Sequence, residues 1–370
     1  MTPHDAAVLS RVGGRHKRLA DAVVRHLLHR PLDDERQLPA RGAHESMAEW
    51  ICRLLEQTTT SRPSATPFTP AFLDDTAAAA LSRAQSLGIS ALMVGATSYP
   101  RLLAQIADPP PLLWVRGDVD DLHRTGVAVV GSRAASPHGR AMARTIARDL
   151  AAAHIVVTSG LARGIDSVAH EAALAAGGRT VAVLGSAHDR VYPPEHAELA
   201  SCIERAGAVL SEYPPGTGAR AHHFPMRNRI ISGLARAVLV VEAPERSGAL
   251  ITATSALDQN RDVFVVPGPV PGDRNRGGHA LIRDGAKMAE SARDILCDLG
   301  WPLGDPAATP RERHPWLCRM SEGADFTVDQ VADLLTLPAA EVLAGLLELE
   351  LAGRIQRIGG GRFVRCRAAC

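Results

Sequence analysis

The chain has 370 residues, a formal net charge of +1, 46% hydrophobic and 22% charged residues, and only 4% aromatics. These proportions belong to a soluble globular protein of two or three domains, with a core built from Ala, Val, Leu and Ile. A charge balance this close to zero excludes a partner held by bulk charge, so any surface for nucleic acid must be a local cluster of basic residues.

The N-terminus, "MTPHDAAVLSRVGGRHKR", has no apolar core of a signal peptide. Helical patterns follow in "RLADAVVRHLLHR" (18–30) and "ESMAEWICRLLEQ" (45–57), the second with Met47, Trp50, Ile51, Leu54 and Leu55 on one face. "TTTSRPSATPFTP" (58–70) reads as a linker and "TAAAALSRAQSLG" (76–88) as a further helix. In "YPRLLAQIADPPPLLWVRGD" (99–118), Pro109, Pro110 and Pro111 forbid helix and predict an extended connector. From Val127 onward the pattern changes to strands alternating with helices. Strands are predicted at 127–131, 155–160, 180–185, 208–213, 237–243 and 262–268, with helices such as "GRAMARTIARDLAAA" and "SVAHEAALAAG" between them. Apolar strands separated by helices predict an α/β fold, a Rossmann-like doubly wound parallel sheet. Residues 301–315 form a second linker. The tail, two short amphipathic helices, "RIQRI", three glycines and "RFVR", predicts a winged-helix domain over 316–370.

Ligands of open parallel sheets bind beyond the carboxyl ends of the strands, and there the loops are polar, glycine-rich and arginine-bearing. Gly131, Ser132 and Arg133 follow the first strand; either they make a simple turn, or the amides of Ser132 and Arg133 and the guanidinium hold a phosphate. "SGLARGID" (159–166) follows the second, and Ser159 and Gly160 are expected to offer amides to another phosphate. Asp166 can cap the following helix or pair with His170 for acid–base work. "RSGALITA" puts Ser247 and Gly248 at a helix start, where they form either a plain cap or an anion site. Between Gly218 and Ala237 stand four arginines, two histidines and no acidic residue; Arg227 and Arg229 flank Asn228, with Phe224 placed to stack on a base. So many separate phosphate cradles suit a polyanion crossing the sheet edge rather than one mononucleotide. The six cysteines have no C-x-x-C pair or zinc spacing, so they are expected as reduced thiols with no metal, and no apolar run approaches a membrane span. A cytoplasmic protein without a cofactor is expected.

In this order, "YP" (99–100), "DPP" (108–110), "VVGSR" (129–133), "SGLARGID" (159–166), "FPMRNRIISGL" (224–234), "VVEA" (240–243), "SGALITA" (247–253) and "VPG" (266–268) make the chain resemble the DNA-processing DprA family, also called Smf. The resemblance is strong over about 98–290. It implies a non-catalytic protein with a helical front of the SAM or helix-hairpin-helix kind (1–96), a sheet domain (97–300) and a winged helix. It further implies a homodimer that binds and protects single-stranded DNA. Such a protein loads RecA recombinase during natural transformation and displaces single-strand-binding protein. The DNA contacts it implies fall on Arg133, on Ser159 to Gly164 (Arg163 and Gly164 included), and on Phe224, Arg227, Asn228 and Arg229. The chain departs from the family pattern at Pro194, His196 and His279, and Arg220 and His222 stand where relatives carry a lysine.

Two other classes fit parts of the chain. A Rossmann-like nucleotide-monophosphate phosphoribohydrolase shares the sheet but has a P-G-G-x-G-T-x-x-E loop, and "RSGALITATSALD" lacks its glycines and its glutamate. A winged-helix regulator would read duplex DNA with "AAEVLAGLLELELAG", which carries Glu341, Glu348 and Glu350 and no base-reading Arg or Asn.

Overall fold

The computed structural model describes residues 1–13, 23, 41–42, 45–58, 69–301, 325–335, 337–351, 355–358 and 362–365. Met1–Gly304 forms one compact unit and Asp305–Cys370 a second. The helix expected at 18–30, the linker at 58–70 and the linker at 301–315 lie largely outside the described residues.

In the first unit, α1 (Pro3–Gly13), α2 (Met47–Thr58) and α3 (Pro70–Ser86) precede β1 (Ser90–Met93), α4 (Arg101–Ala104) and β2 (Leu112–Gly117). The alternating region follows. Its strands are β3 (Gly126–Val130), β4 (Val156–Ser159), β5 (Thr180–Leu184), β6 (Ala208–Ser211), β7 (Ala237–Val240) and β8 (Asp262–Val265). Between them run α5 (Pro137–Ala152), α6 (Ile165–Ala175), α7 (Ala197–Ala206), α8 (His223–Leu234) and α9 (Gly248–Asp258). α10 (Arg276–Arg283), β9 (Lys287–Met288) and α11 (Ala292–Asp298) close the unit.

The nine strands make one sheet in the order β1-β2-β6-β5-β4-β3-β7-β8-β9. From β6 to β9 every pair is parallel, while β2 runs antiparallel on β6 and β1 antiparallel on β2. All six expected strands are present. Alternation along β3 sends Val127 and Val129 into one apolar layer and Ala128 and Val130 into the other, so helices cover both faces.

Two boundaries differ from the sequence expectation. The prolines at 109–111 do end in an extended segment, but that segment is strand β2, completed by pairing with β6. Tyr99 donates its hydroxyl to Pro110 O at 2.8 Å and fixes the approach. Within the expected helical front, the last helix ends at Ser86, β1 belongs to the sheet, and the front lies in the same compact unit.

The second unit contains α12 (Val328–Leu335) and α13 (Ala339–Leu351). Its three-stranded antiparallel sheet joins β10 (Asp325–Phe326), β12 (Arg362–Arg365) and β11 (Ile355–Ile358), in that order. Val331, Val342, Leu346, Leu349, Ile355 and Phe363 form its core. This is the winged-helix arrangement; the three-glycine turn lies outside the described residues.

Two histidines are buried as neutral groups. His170 Nδ1 lies 2.7 Å from Thr180 Oγ1, whose own proton goes to Val157 O, so His170 donates and its Nε2 is left without a partner. Burial pushes His170 down from 6.5 to about 3 and His188 to about 4. Below pH 6.5 the unfolded chain takes up protons that the folded chain refuses. Their stabilisation is therefore complete above that pH and is lost as pH falls toward 4 and then 3, at about 1.4 kcal/mol per pH unit and group. Urea melts at about pH 7 and about pH 5 should show this loss, and His170→Gln should remove about half of it, leaving the share of His188.

Candidate functional site

The strand order reverses between β3 and β7, and the chain leaves these neighbours in opposite directions. Such a switch point opens a crevice between two loops. Residues 131–136 lead from β3 into α5 on one side, and residues 241–247 lead from β7 into α9 on the other. With α8 beneath, they enclose a cleft of about 760 Å³.

Of the four arginines that line this cleft, Arg227 is buried and the other three are Arg133, Arg220 and Arg246. All three side chains are exposed, and none has an ion-pair partner among the described residues. The Arg133 guanidinium carbon stands 5.2 Å from the centre of the Phe224 ring. Tyr192, 40% exposed, lies on the same wall with its ring 5.5 Å from that of Phe224 and tilted by 55°. Asp166 is the one acidic residue among the lining, and it is buried. The cleft therefore pairs uncompensated positive charge with aromatic surface, which suits a phosphate-bearing ligand with a ring to stack.

Ser247 and Gly248 form the start of α9 and line the cleft. Ser247 caps α9 by accepting from Ala249 N at 3.3 Å, and Gly248 lies open to the cleft. Asn228 donates Nδ2 to Gly248 O at 3.1 Å and ties α8 to that helix start.

The arginines beside Asn228 both reach partners within the fold. Successive helical residues are rotated by about 100°, so Arg227 and Arg229 face opposite ways. Arg227 points inward under the loops and donates Nη1 to Gly160 O at 2.6 Å and to Val183 O. It lines the floor, but its side chain is buried, and burial lowers its pKa to about 10 against the favourable charge of Asp166. Arg229 turns away from the cleft. It makes a two-pronged pair with Glu212 (2.9 and 2.6 Å) and meets Asp108 Oδ2 at 3.0 Å. Both guanidiniums have partners within the fold.

The loop 159–166 is likewise engaged by contacts within the fold. Ser159 is fully buried and donates Oγ to Val129 O at 2.6 Å. The amides of Gly160 and Ala162 are taken by Asp166 Oδ2 at 3.1 and 3.4 Å. Asp166 thus stands in the first turn of α6 rather than at its N-cap, and burial raises its pKa. No hydrogen bond joins it to His170, whose partner is Thr180. Arg163 is exposed but pairs with Glu195 at 2.6 Å, which holds that carboxyl below its usual range.

This loop is a brace under residues 131–136. Gly164 has φ +83°, and a Cβ there would collide with Ser132 O. Ile165 N donates to Ser132 O at 3.2 Å, and Ser132 N donates to Glu242 O at 2.7 Å. Ser132 therefore has no amide left for a phosphate; of the expected pair, only the Arg133 amide lacks an intramolecular partner among the described residues.

The departures from the family pattern have local roles. His196 Nδ1 lies 2.9 Å from Leu161 O, and His279 Nε2 lies 3.2 Å from Gly268 O. Pro194 opens a single 3₁₀ turn. Tyr192, Arg220 and Arg246 complete the cleft without belonging to the expected site. Their signal was present, since Arg220 lies in an acid-free run and Arg246 in a loop beyond a strand end. Among the described residues no group of three potential ligands is placed to hold a metal ion, and no helix is long and apolar enough to cross a membrane.

Comparison with known proteins agrees with this architecture. The profile of the DNA recombination-mediator protein A family matches residues 90–300, and that of the DprA winged helix domain matches 304–361. The chain is 43% identical over 285 residues to Protein Smf of Escherichia coli strain K12, covering 74% of this chain and 76% of that protein. It is 46% identical over 200 residues to DNA processing protein DprA of Streptococcus pneumoniae R6, covering 54% of this chain and 71% of that protein. The X-ray structure of DprA from Streptococcus pneumoniae is similar, with TM-score 0.65, 33% identity and coverage of 80% of this chain and 98% of that one. A structure of DNA processing protein A from Helicobacter pylori, described for its single-stranded DNA binding mode, aligns with TM-score 0.52 and 28% identity, covering 57% of this chain and 95% of that one.

Proposed function

The chain belongs to the DNA recombination-mediator protein A family, and from that premise we propose that it binds single-stranded DNA in the switch-point cleft. The observation that carries this reading is the trio of unpaired arginines, Arg133, Arg220 and Arg246, around the Phe224–Tyr192 pair. Phosphates meet the guanidiniums and a base meets the rings, a backbone-tracking mode with little sequence preference. Ser247, Gly248, Asn228 and the backbone at Gly131 and Ser132 shape the same cleft. Arg227 holds its floor, while Ser159, Gly160, Arg163, Gly164 and Arg229 act from outside it.

The rest of the reading follows the family resemblance. The protein protects incoming DNA, displaces single-strand-binding protein and loads RecA recombinase in transformation. A homodimer is supported by Leu257 on α9 and Met288 on the edge strand β9, each 56% exposed. The winged helix, whose second helix carries Glu341, Glu348 and Glu350, serves protein contact or regulation rather than duplex reading. A binding protein rather than a hydrolase is supported by Asp166 and His170, both engaged in the fold.

Ligand length tests the proposal. Guanidiniums from separate loops cannot all meet one phosphate, and neighbouring strands stand about 4.8 Å apart. Affinity for oligothymidylates should climb steeply from a dinucleotide to roughly six nucleotides, with duplex binding worse. If AMP competes at micromolar concentration, or free adenine is released, the hydrolase reading replaces this one.

A further inference from the structure

Glu242 follows β7 and is 3% exposed, and the DNA reading leaves its carboxylate without a role. That carboxylate crosses the switch point to the N-terminus of α5. Both oxygens accept from Ser136 N at 3.2 Å, and Oε2 also accepts the Ser136 hydroxyl proton. From the other side Arg274 brings Nη1 to 3.6 Å from Oε1 while donating to Ala134 O at 2.7 Å. The helix is shaped around the group, since a Cβ at Gly139 would stand 2.7 Å from Oε2. The N-cap amide and hydroxyl of Ser136 and an arginine converge here as they would on a phosphate. In open parallel sheets the helix beside the switch point is where nucleotide phosphates bind.

We propose that Glu242 is a specificity-determining residue that fills this position with the chain's own anion. It denies the α5 N-terminus to free nucleotides and pyrophosphate. Incoming phosphates are thereby confined to the side of Arg133, Arg220 and Arg246. The inference rests on the single-strand reading for what the cleft receives, and on the Glu242 geometry alone for what it refuses.

The test titrates pyrophosphate by calorimetry into the full-length wild type, Glu242→Ala and Glu242→Gln, with ionic strength matched by sodium chloride. Thermal melts and oligothymidylate salt titrations run in parallel. The wild type should take up no pyrophosphate at micromolar concentration. Glu242→Ala should bind it about tenfold or more tightly than the wild type, because α5, Ser136 and Arg274 regain an anion. Glu242→Gln keeps the bulk and loses the charge. It should bind pyrophosphate more weakly than Glu242→Ala and more tightly than the wild type. Micromolar pyrophosphate binding by the wild type overturns the inference, as does a folded Glu242→Ala that refuses it. If Glu242→Ala does not fold, Glu242→Gln decides, and a folded Glu242→Gln that takes up no more pyrophosphate than the wild type overturns the inference. A wild type that fails to bind oligothymidylate refutes the DNA reading instead, independently of its pyrophosphate uptake.

Discussion

Arg227→Ala is expected to lower the unfolding free energy by about 3–5 kcal/mol, the cost of removing one partner from a buried charged network. The side chain is 3% exposed, and its guanidinium joins the β4 loop at Gly160 O to the end of β5 at Val183 O. Truncation leaves two carbonyls without their donor and the buried carboxyl of Asp166 without its neighbouring cation. Lys in its place has no planar fork to bridge both carbonyls. Urea denaturation read by circular dichroism measures the change, with the midpoint falling and the slope unchanged. A variant of wild-type stability that has lost only DNA affinity would make Arg227 a ligand contact and refute this assignment.

The combined Arg133→Ala, Arg220→Ala and Arg246→Ala variant should have the opposite signature. These side chains are exposed and unpaired, so stability should stay within about 0.5 kcal/mol of wild type. Each loss of a charged phosphate contact costs about tenfold, giving roughly a thousandfold weaker oligothymidylate binding. The log–log salt slope should fall by about 2, three contacts at about 0.7 each. Binding by fluorescence anisotropy across a salt series measures both numbers. Retained affinity with an unchanged slope would place the DNA elsewhere on the molecule.

The sheet was legible in the sequence because a strand covered on both faces must be apolar along its length, as in "VAVV", "TVAVL" and "AVLV". β9, two exposed residues long, carries no such signature. The edge bearing the cleft was legible too, because glycine turns and arginines recur at successive strand ends. Composition does not say which arginines face the cleft. Arg227, Asn228 and Arg229 are adjacent in the chain but diverge around a helix, and only carboxylates distant in sequence, Glu212 and Asp108, show where Arg229 goes. In the same way, "SGLARGID" has the composition of an anion nest, yet Asp166 within it accepts the amides that a ligand would need. Glu242 stands within "VVEA", but a lone acidic residue at a strand end announces no partner until the helix it reaches is in place.

Ser132, the residue before Arg133, is held from both sides, by the carbonyl of Glu242 and by the amide of Ile165. The backbone that aims Arg133 is thus settled when the protein folds, and its configurational freedom is already gone when a ligand arrives. Strand capture then requires no loop ordering, only the adjustment of side-chain rotamers. That keeps the entropic cost of association low and leaves electrostatically guided diffusion to set the speed of encounter.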